Sequence, residues 1–233
     1  MNAKKEIKRI HFEEIGSTND YAKGLRALGE DLIVTATRQT GGRGTKGRSF
    51  SSDEGGVYLS ELRFYENFLA KDAFKIMARA AVAVCETLKA YGLQPVIKWV
   101  NDIYVNDKKI CGILIENVFS GARVASSVVG IGLNVHNALP EELVGIATTM
   151  QAEKGKVFSV DEVRKRLLAE LEKPREMEEY LAYIGYMGRE ATLLIGDERV
   201  PATLLFVDNE GGLHVRIGRE EKRFAAAEVS LKL

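Results

Sequence analysis

Two periods run through the hydrophobic and polar positions of this chain, and their order predicts an architecture. Residues 7–12 alternate charged and apolar side chains, as a half-buried strand does. Ser17-Thr18-Asn19-Asp20 then supplies capping side chains with an acidic group three after Ser17, starting a short helix that runs to about Leu28. Apolar alternation at 31–37 and 56–63 predicts strands on either side of a glycine-rich loop. The clearest helix covers 71–91, where Phe74, Met77, Ala81, Val84, Cys85 and Leu88 recur at helical spacing and Gly92 follows as a stop. Residues 95–99 and 103–105 read as strand or strand edge, Asn106-Asp107 as a turn, 110–116 as strand and 123–135 as continuous β-type sequence. A second helix begins at the capping box Ser159-Val160-Asp161-Glu162, is kinked or restarted by Pro174, and ends near Gly185.

Beyond Gly185 the pattern changes to short alternating runs at 191–195, 199–207, 213–217 and 223–226, separated by glycine-containing turns. Strands at that even spacing predict a small all-β barrel. The chain therefore divides into a mixed α/β unit over 1–185 and a β unit over 186–233.

Bulk properties narrow the function classes. A chain of 233 residues, 45% hydrophobic and 28% charged, can bury a sizeable core and is composed like an ordinary globular protein. Its 33 basic and 33 acidic residues cancel, so nothing favours generic attraction to nucleic acid or an anionic membrane. Cys85 and Cys111 lie in apolar contexts without CxxC spacing, and read as buried thiols in a reducing compartment. His11, His136 and His214 are scattered, which argues against a structural zinc site. The first residues are charged rather than signal-like and no apolar run is long enough to span a bilayer, so the expected location is the cytoplasm.

The run Gln39-Thr40-Gly41-Gly42-Arg43-Gly44-Thr45-Lys46-Gly47-Arg48 carries the strongest chemical signal. Glycines permit close backbone approach with N–H groups free for anionic oxygens, and Arg43, Lys46 and Arg48 add charge. Its spacing is neither a P-loop nor a dinucleotide fingerprint. Alone it is an anion cradle or a solvated loop. Ser17-Thr18-Asn19 is either a plain N-cap or a convergence of donors at a helix start. In Lys98-Trp99-Val100-Asn101-Asp102, Asp102 can help hold a cation or orient a nucleophile, and Asn101 can brace the loop. Lys109 either turns inward, where it needs an anionic partner, or joins Lys108 at an exposed hairpin tip. Gly130-Ile131-Gly132-Leu133-Asn134 is a strand broken by glycines, marking a bulge or a closely approaching ligand.

In this order, over about residues 10–135, these segments together with Gly112-Ile113-Leu114 and Glu116 resemble the biotin protein ligases, which attach biotin to a carboxylase carrier domain. The β-rich tail is similar to that family's small C-terminal domain. The resemblance implies an α/β (α+β) fold: a mixed sheet with helices packed on one side, plus an SH3-like β-barrel. It implies ATP and biotin as substrates, Mg²⁺ held by Asp102, and a biotin carboxyl carrier protein as acceptor. Lys109, Arg43 and Asp102 take the catalytic roles. Ser17, Thr18, Asn19, Gln39, Gly42, Arg43, Gly44, Thr45, Lys109, Gly112 and Gly132 form the biotin site. Arg43, Arg48, Phe50, Asn101, Lys109 and Asn134 meet ATP and the adenylate.

The chain departs from the family pattern at three places. Thr45 stands where an arginine often helps retain the adenylate, which implies faster release here unless Lys46 substitutes; Phe50 replaces a common tryptophan and Val100 a common proline. Bifunctional relatives carry an N-terminal helix-turn-helix, whereas the catalytic segment here begins within the first dozen residues, so a monofunctional enzyme without nucleic-acid binding is expected. Relatives often dimerise through sheet edges, which leaves a homodimer open. Two alternatives stand beside this reading: a lipoate or octanoate ligase, and a non-catalytic biotin-binding module.

Overall fold

The computed structural model describes residues 7–226 and 228–232, and for Lys46 the backbone alone. Strands β1 (Lys8–Ile15), β2 (Leu32–Gln39), β3 (Gly56–Phe64), β4 (Val96–Lys98), β5 (Asp102–Val105), β6 (Lys108–Ser120) and β7 (Arg123–Asn134) form a seven-stranded sheet in the order β1-β2-β3-β7-β6-β5-β4. Only the β1–β2 pair is parallel. Helices α1 (Thr18–Gly24), α2 (Phe74–Ala90), α3 (Met150–Lys154), α4 (Val160–Leu171) and α5 (Met177–Tyr183) accompany it.

Strand parity sorts side chains to two faces. Ile33, Val57, Leu59, Val129, Ile131 and Leu133 join α2 in the main core, while Leu32, Val34, Leu62 and Val128 meet Ala22 of α1 in a smaller one on the opposite face. Most of the helical mass thus lies on one side as expected, and the short α1 covers part of the other. The apolar stripe expected on α2 is in fact burial nearly all round, from Ile76 through Leu88. The cause is position: α2 runs between the sheet and the helices α4 and α5, and Ala78, Ala80, Ala81 and Ala83 allow that close approach.

Strands β8 (Glu190–Ile195), β9 (Glu198–Val207), β10 (Leu213–Ile217), β11 (Glu220–Phe224) and β12 (Val229–Lys232) form an antiparallel sheet in the order β11-β10-β9-β8-β12. Its Leu193, Leu204, Leu213 and Val215 belong to the same apolar cluster as α2. The turn between β9 and β10 docks on the large unit: the Trp99 indole N–H donates to Gly211 O (3.0 Å). Gly211 is obligatory there, because φ is +82° and a Cβ would lie 2.3 Å from the Phe74 ring. Sequence pattern misses α3, a five-residue helix capped by Thr149, and β12, whose four residues follow the final expected run. Pro174 separates α4 from α5 rather than kinking one helix.

Candidate functional site

The site is a row of missing side chains. On the sheet face away from α2, Ser60 of β3 pairs with Gly130 of β7, and Gly132 of β7 pairs with Gly112 of β6, which itself faces Asp102 of β5. Residues sharing that register share a face, so three glycines leave a hollow where neighbouring strands would project side chains. It opens as a cavity of about 320 Å³.

One end is built from hydrogen-bonded polar groups at the start of α1. The Ser17 hydroxyl caps α1 by accepting from Asp20 N (3.3 Å). Thr18 donates to Gln39 Oε1 through both its backbone N–H (2.8 Å) and its hydroxyl (2.9 Å), and Gln39 Nε2 donates to Ser52 Oγ (2.9 Å). The Ser60 hydroxyl bridges Thr18 Oγ1 and Asn19 Oδ1, and Asn19 Nδ2 donates to Glu116 Oε2 (3.3 Å). Gly130 is there for Asn19: a Cβ would sit 2.1 Å from Asn19 Oδ1.

The other end is cationic. Lys109 turns inward and pairs with Asp102 (2.6 Å), while Lys108 remains exposed at the hairpin, so the two halves of that lysine pair have separate fates. Asn101 braces its loop by donating from Nδ2 to Ile113 O (2.7 Å). Lys98 of β4 lies beside Tyr104, with Nζ 3.4 Å from the phenol oxygen. Burial pushes the Lys98 ammonium below the ordinary lysine value, Asp102 partly offsetting that, and burial lifts the Tyr104 phenol to about 12.

The glycine run departs from the open cradle expected of it. Part of its backbone is already engaged: Gly41 N donates to Gly16 O and Gly44 N to Arg48 O, while Gly42 O accepts from Phe50 N. Gly42 does not line the cavity; a Cβ there would strike Phe50 O at 2.3 Å and Ser52 Oγ at 2.5 Å, so the glycine serves the loop's own folding. Apart from Gly44, the loop residues that line the cavity carry side chains. Arg43 pairs with Asp20 (2.8 Å), and Arg48 Nη2 donates to Thr45 Oγ1 (3.0 Å). The Lys46 side chain lies outside the described residues. Phe50 folds back over the glycine row, so that a Cβ on Gly132 would lie 2.5 Å from its ring.

Every other residue assigned to the site by the sequence lines this one cavity: Ser17, Thr18, Asn19, Gln39, Arg43, Gly44, Thr45, Arg48, Phe50, Asn101, Asp102, Lys109, Gly112, Gly132 and Asn134. Asn134 is buried, and its amide supports the neighbouring loop by donating to Thr148 O (3.1 Å) and accepting from Asn137 (3.2 Å). Sequence reading missed Ser60, which alternation marks only as strand and which supports Thr18 and Asn19 from a fully buried position behind the cavity wall, and the apolar lip of Leu139, Leu143 and Ile146. That lip is attached to β6 by Lys109 N donating to Ile146 O (2.9 Å) and Thr148 N to Lys109 O (2.8 Å). Nothing in the sequence signals this pairing.

The donor set does not fit a resident Mg²⁺. Asp102 is the one carboxylate lining the cavity and is paired with Lys109, and no cluster of three or more His, Cys, Asp or Glu side chains occurs among the described residues. The arrangement suits a ligand with a neutral hydrogen-bonding end and an anionic end.

Residues 11–134 match the model of the biotin/lipoate A/B protein ligase family. Across 95% of its length the chain is 33% identical to the bifunctional ligase/repressor BirA of Bacillus subtilis, spanning 73% of that protein. It is 27% identical to the biotin–[acetyl-CoA-carboxylase] ligase of Mycobacterium tuberculosis, covering 93% of this chain and 86% of that one. Among solved structures it is similar to the biotin protein ligase from Aquifex aeolicus in complex with biotin and ATP, with a TM-score of 0.78, 29% identity, and coverage of 97% and 98% of the two chains.

Proposed function

The chain belongs to the biotin/lipoate A/B protein ligase family, and on that premise we propose that it is an ATP-dependent biotin protein ligase acting on the biotin domain of a carboxylase. The observation that carries this reading is the division of one cavity into a polar, neutral end at Thr18, Asn19 and Gln39, with the buried Ser60 bracing the first two from behind, and a cationic end at Lys109, Lys98 and Arg48. A fused ureido ring terminating a short acyl chain matches the first, and a carboxylate meeting a triphosphate matches the second.

The biotin carboxylate oxygen attacks the α-phosphorus of ATP; the α–β bridging P–O bond breaks and its electron pair leaves on pyrophosphate. Both reactants are anionic, so fixed cations lower the barrier by stabilising charge as it develops. Lys109, oriented by Asp102 at 2.6 Å, sits where it can serve the carboxylate and the α-phosphate together. Arg43 and Arg48 on the loop close over the product. An acceptor lysine amine then attacks the biotinyl carbonyl, forming the amide and releasing AMP. Mg²⁺ enters as the counter-ion of the triphosphate, part of the substrate, and Asp102 is assigned to Lys109 rather than to a metal.

Residues 1–185 are read as the catalytic unit and 186–233 as a supporting one. A reducing compartment such as the cytoplasm is supported by Cys85 and Cys111, both buried free thiols. A homodimer through the exposed edge strand β1 fits the same reading.

Biotin-dependent exchange between ATP and labelled pyrophosphate tests the function. Exchange with biotin supports it; exchange with lipoate instead favours the lipoate ligases of the same family, and none with either favours a binding module.

A further inference from the structure

The backbone segment 97–101 is held largely from outside the large sheet. Its strand, β4, is three residues long, ends the sheet and, among the described residues, pairs there with β5 alone. So short an edge has few ladder bonds of its own, and its place depends on what covers it. Three hydrogen bonds do so. Gly185 N donates to Ile97 O, the Tyr180 hydroxyl to Val100 O and the buried Trp99 indole N–H to Gly211 O, each at 3.0 Å. Of these, the third crosses to the C-terminal unit. Gly211 owes its position there to one side chain. The Asp208 carboxylate accepts from Glu210 N (2.9 Å), Gly212 N (2.8 Å), Arg223 Nε (2.6 Å) and His214 Nε2 (3.0 Å). Its backbone N–H donates to Gly212 O and its carbonyl accepts from Gly211 N, both at 2.9 Å. Phe74 joins the two braces, lying against Gly211 and meeting the Tyr180 ring edge-on with centroids 5.3 Å apart.

We propose that Asp208 is a positioning residue for adenylation: it shapes the β9–β10 turn so that Gly211 O takes the Trp99 N–H, and this bond fixes the backbone between β4 and Asp102. The proposal rests on the ligase reading above and gives one residue of the C-terminal unit a defined part in it. Asp208 lies outside the cavity, so its influence passes through Trp99. Asn101 and Asp102 follow Trp99 within three residues, and Asn101 is tied onward to β6 by Nδ2 to Ile113 O (2.7 Å) and Ile113 N to its own carbonyl (3.0 Å). Releasing the indole therefore loosens the strand end on which Asp102 orients Lys109. Rates fall when such groups drift by fractions of an ångström, even where binding elsewhere is intact. The neutral end of the cavity is built on α1 and β2, across the sheet from β4, so biotin binding is spared.

The test uses the full chain with Asp208→Asn, Trp99→Phe, which removes the indole N–H but keeps a ring, and the double variant. Val229→Ala is the control, since it removes buried methyl groups from β12 at the edge of the C-terminal sheet. Wild-type exchange dependent on biotin is measured first, so failure of the ligase reading is visible by itself. Loss of one neutral hydrogen bond predicts a kcat for exchange about 3–10-fold lower in Asp208→Asn and in Trp99→Phe. Calorimetric biotin affinity should stay within about two-fold of wild type in both. The double variant should be no slower than Trp99→Phe, because the two residues act through one bond. Val229→Ala should lower the urea midpoint yet keep wild-type kcat. Trp99 is the only tryptophan of the chain, so its indole ¹H–¹⁵N resonance reports the bond directly. In Asp208→Asn that resonance should shift and its proton exchange faster with solvent, a comparison that stands should Trp99→Phe fail to fold. Unchanged kcat in Asp208→Asn, an unmoved indole resonance, multiplicative losses in the double variant, or an equal loss of kcat in Val229→Ala each overturn the proposal.

Discussion

Gly130→Ala tests most directly how the neutral end of the cavity is built. The added Cβ would lie 2.1 Å from Asn19 Oδ1, 2.8 Å from Cγ and 2.9 Å from Nδ2, so the whole amide group must move. Asn19 has little room to do so, because it is 5% exposed and held between Ser60 and Glu116. Moving it forfeits two hydrogen bonds, each contributing about 0.5–1.5 kcal/mol, for a stability loss of roughly 1–3 kcal/mol. If the displaced amide also enters the space meant for biotin, the same energy at the site corresponds to about 5–150-fold weaker binding. Urea denaturation and calorimetric biotin titration would be run on Gly130→Ala, Asn19→Ala and the double variant. Since the clash needs both side chains, Gly130→Ala should cost little in the Asn19→Ala background, giving strong non-additivity. Additive losses, or a Gly130→Ala protein with wild-type stability and biotin affinity, would refute this account of why position 130 is glycine.

Three further outcomes follow from the geometry. Lys109→Ala should abolish biotin-dependent ATP–pyrophosphate exchange, by at least about 100-fold as for removal of a preorganised donor; near-normal turnover would sink the assigned role. Thr45→Arg removes the hydroxyl that accepts from Arg48 and adds a loop cation, so biotinyl-5′-adenylate should dissociate several-fold more slowly in a filter or stopped-flow release assay, and an unchanged rate would remove the basis for expecting loose retention. Burial raises the Asp208 carboxyl, but Arg223, the Gly212 N–H, His214 and the Glu210 N–H outweigh it and hold the group well below the ordinary carboxylate range. A depressed carboxyl adds stability that is full above its ordinary value near pH 4 and is lost as pH falls toward the folded value. Asp208→Asn should therefore cost about 1–2 kcal/mol at pH 7 and less as pH falls below 4, read from urea midpoints across pH.

Much of the site was legible because its residues are chemically odd where they stand. Lysine beside tryptophan, Asn-Asp at a strand end and glycines inside a strand all oppose the propensities of a sheet, and each of these segments reaches the cavity. Gly42 shows the limit of that logic. Its oddness is real, but it answers a clash with Phe50 O and Ser52 Oγ inside the loop, not a ligand. Ser60 shows the converse. A serine alternating with apolar residues is unremarkable in sequence, and its importance comes from standing opposite Gly130 beneath Thr18 and Asn19. The lip of Leu139, Leu143 and Ile146 was invisible for the same reason: its place depends on a backbone pairing with Lys109 across 37 residues of chain.

By itself the sequence determined most of the elements, since period and capping are local: the main strand runs, α1 at Ser17, α2 up to Gly92, and the change to short β runs after Gly185, though not α3 or β12. It also determined which residue types are available for chemistry. Tertiary structure decided the rest because strand register is a non-local property. Whether Lys109 meets Asp102 or solvent, whether Lys98 keeps a counter-ion, and whether three glycines align into one hollow all depend on how β4, β5, β6 and β7 are paired. A one-residue slip would turn those same side chains to the α2 face, which is mostly apolar.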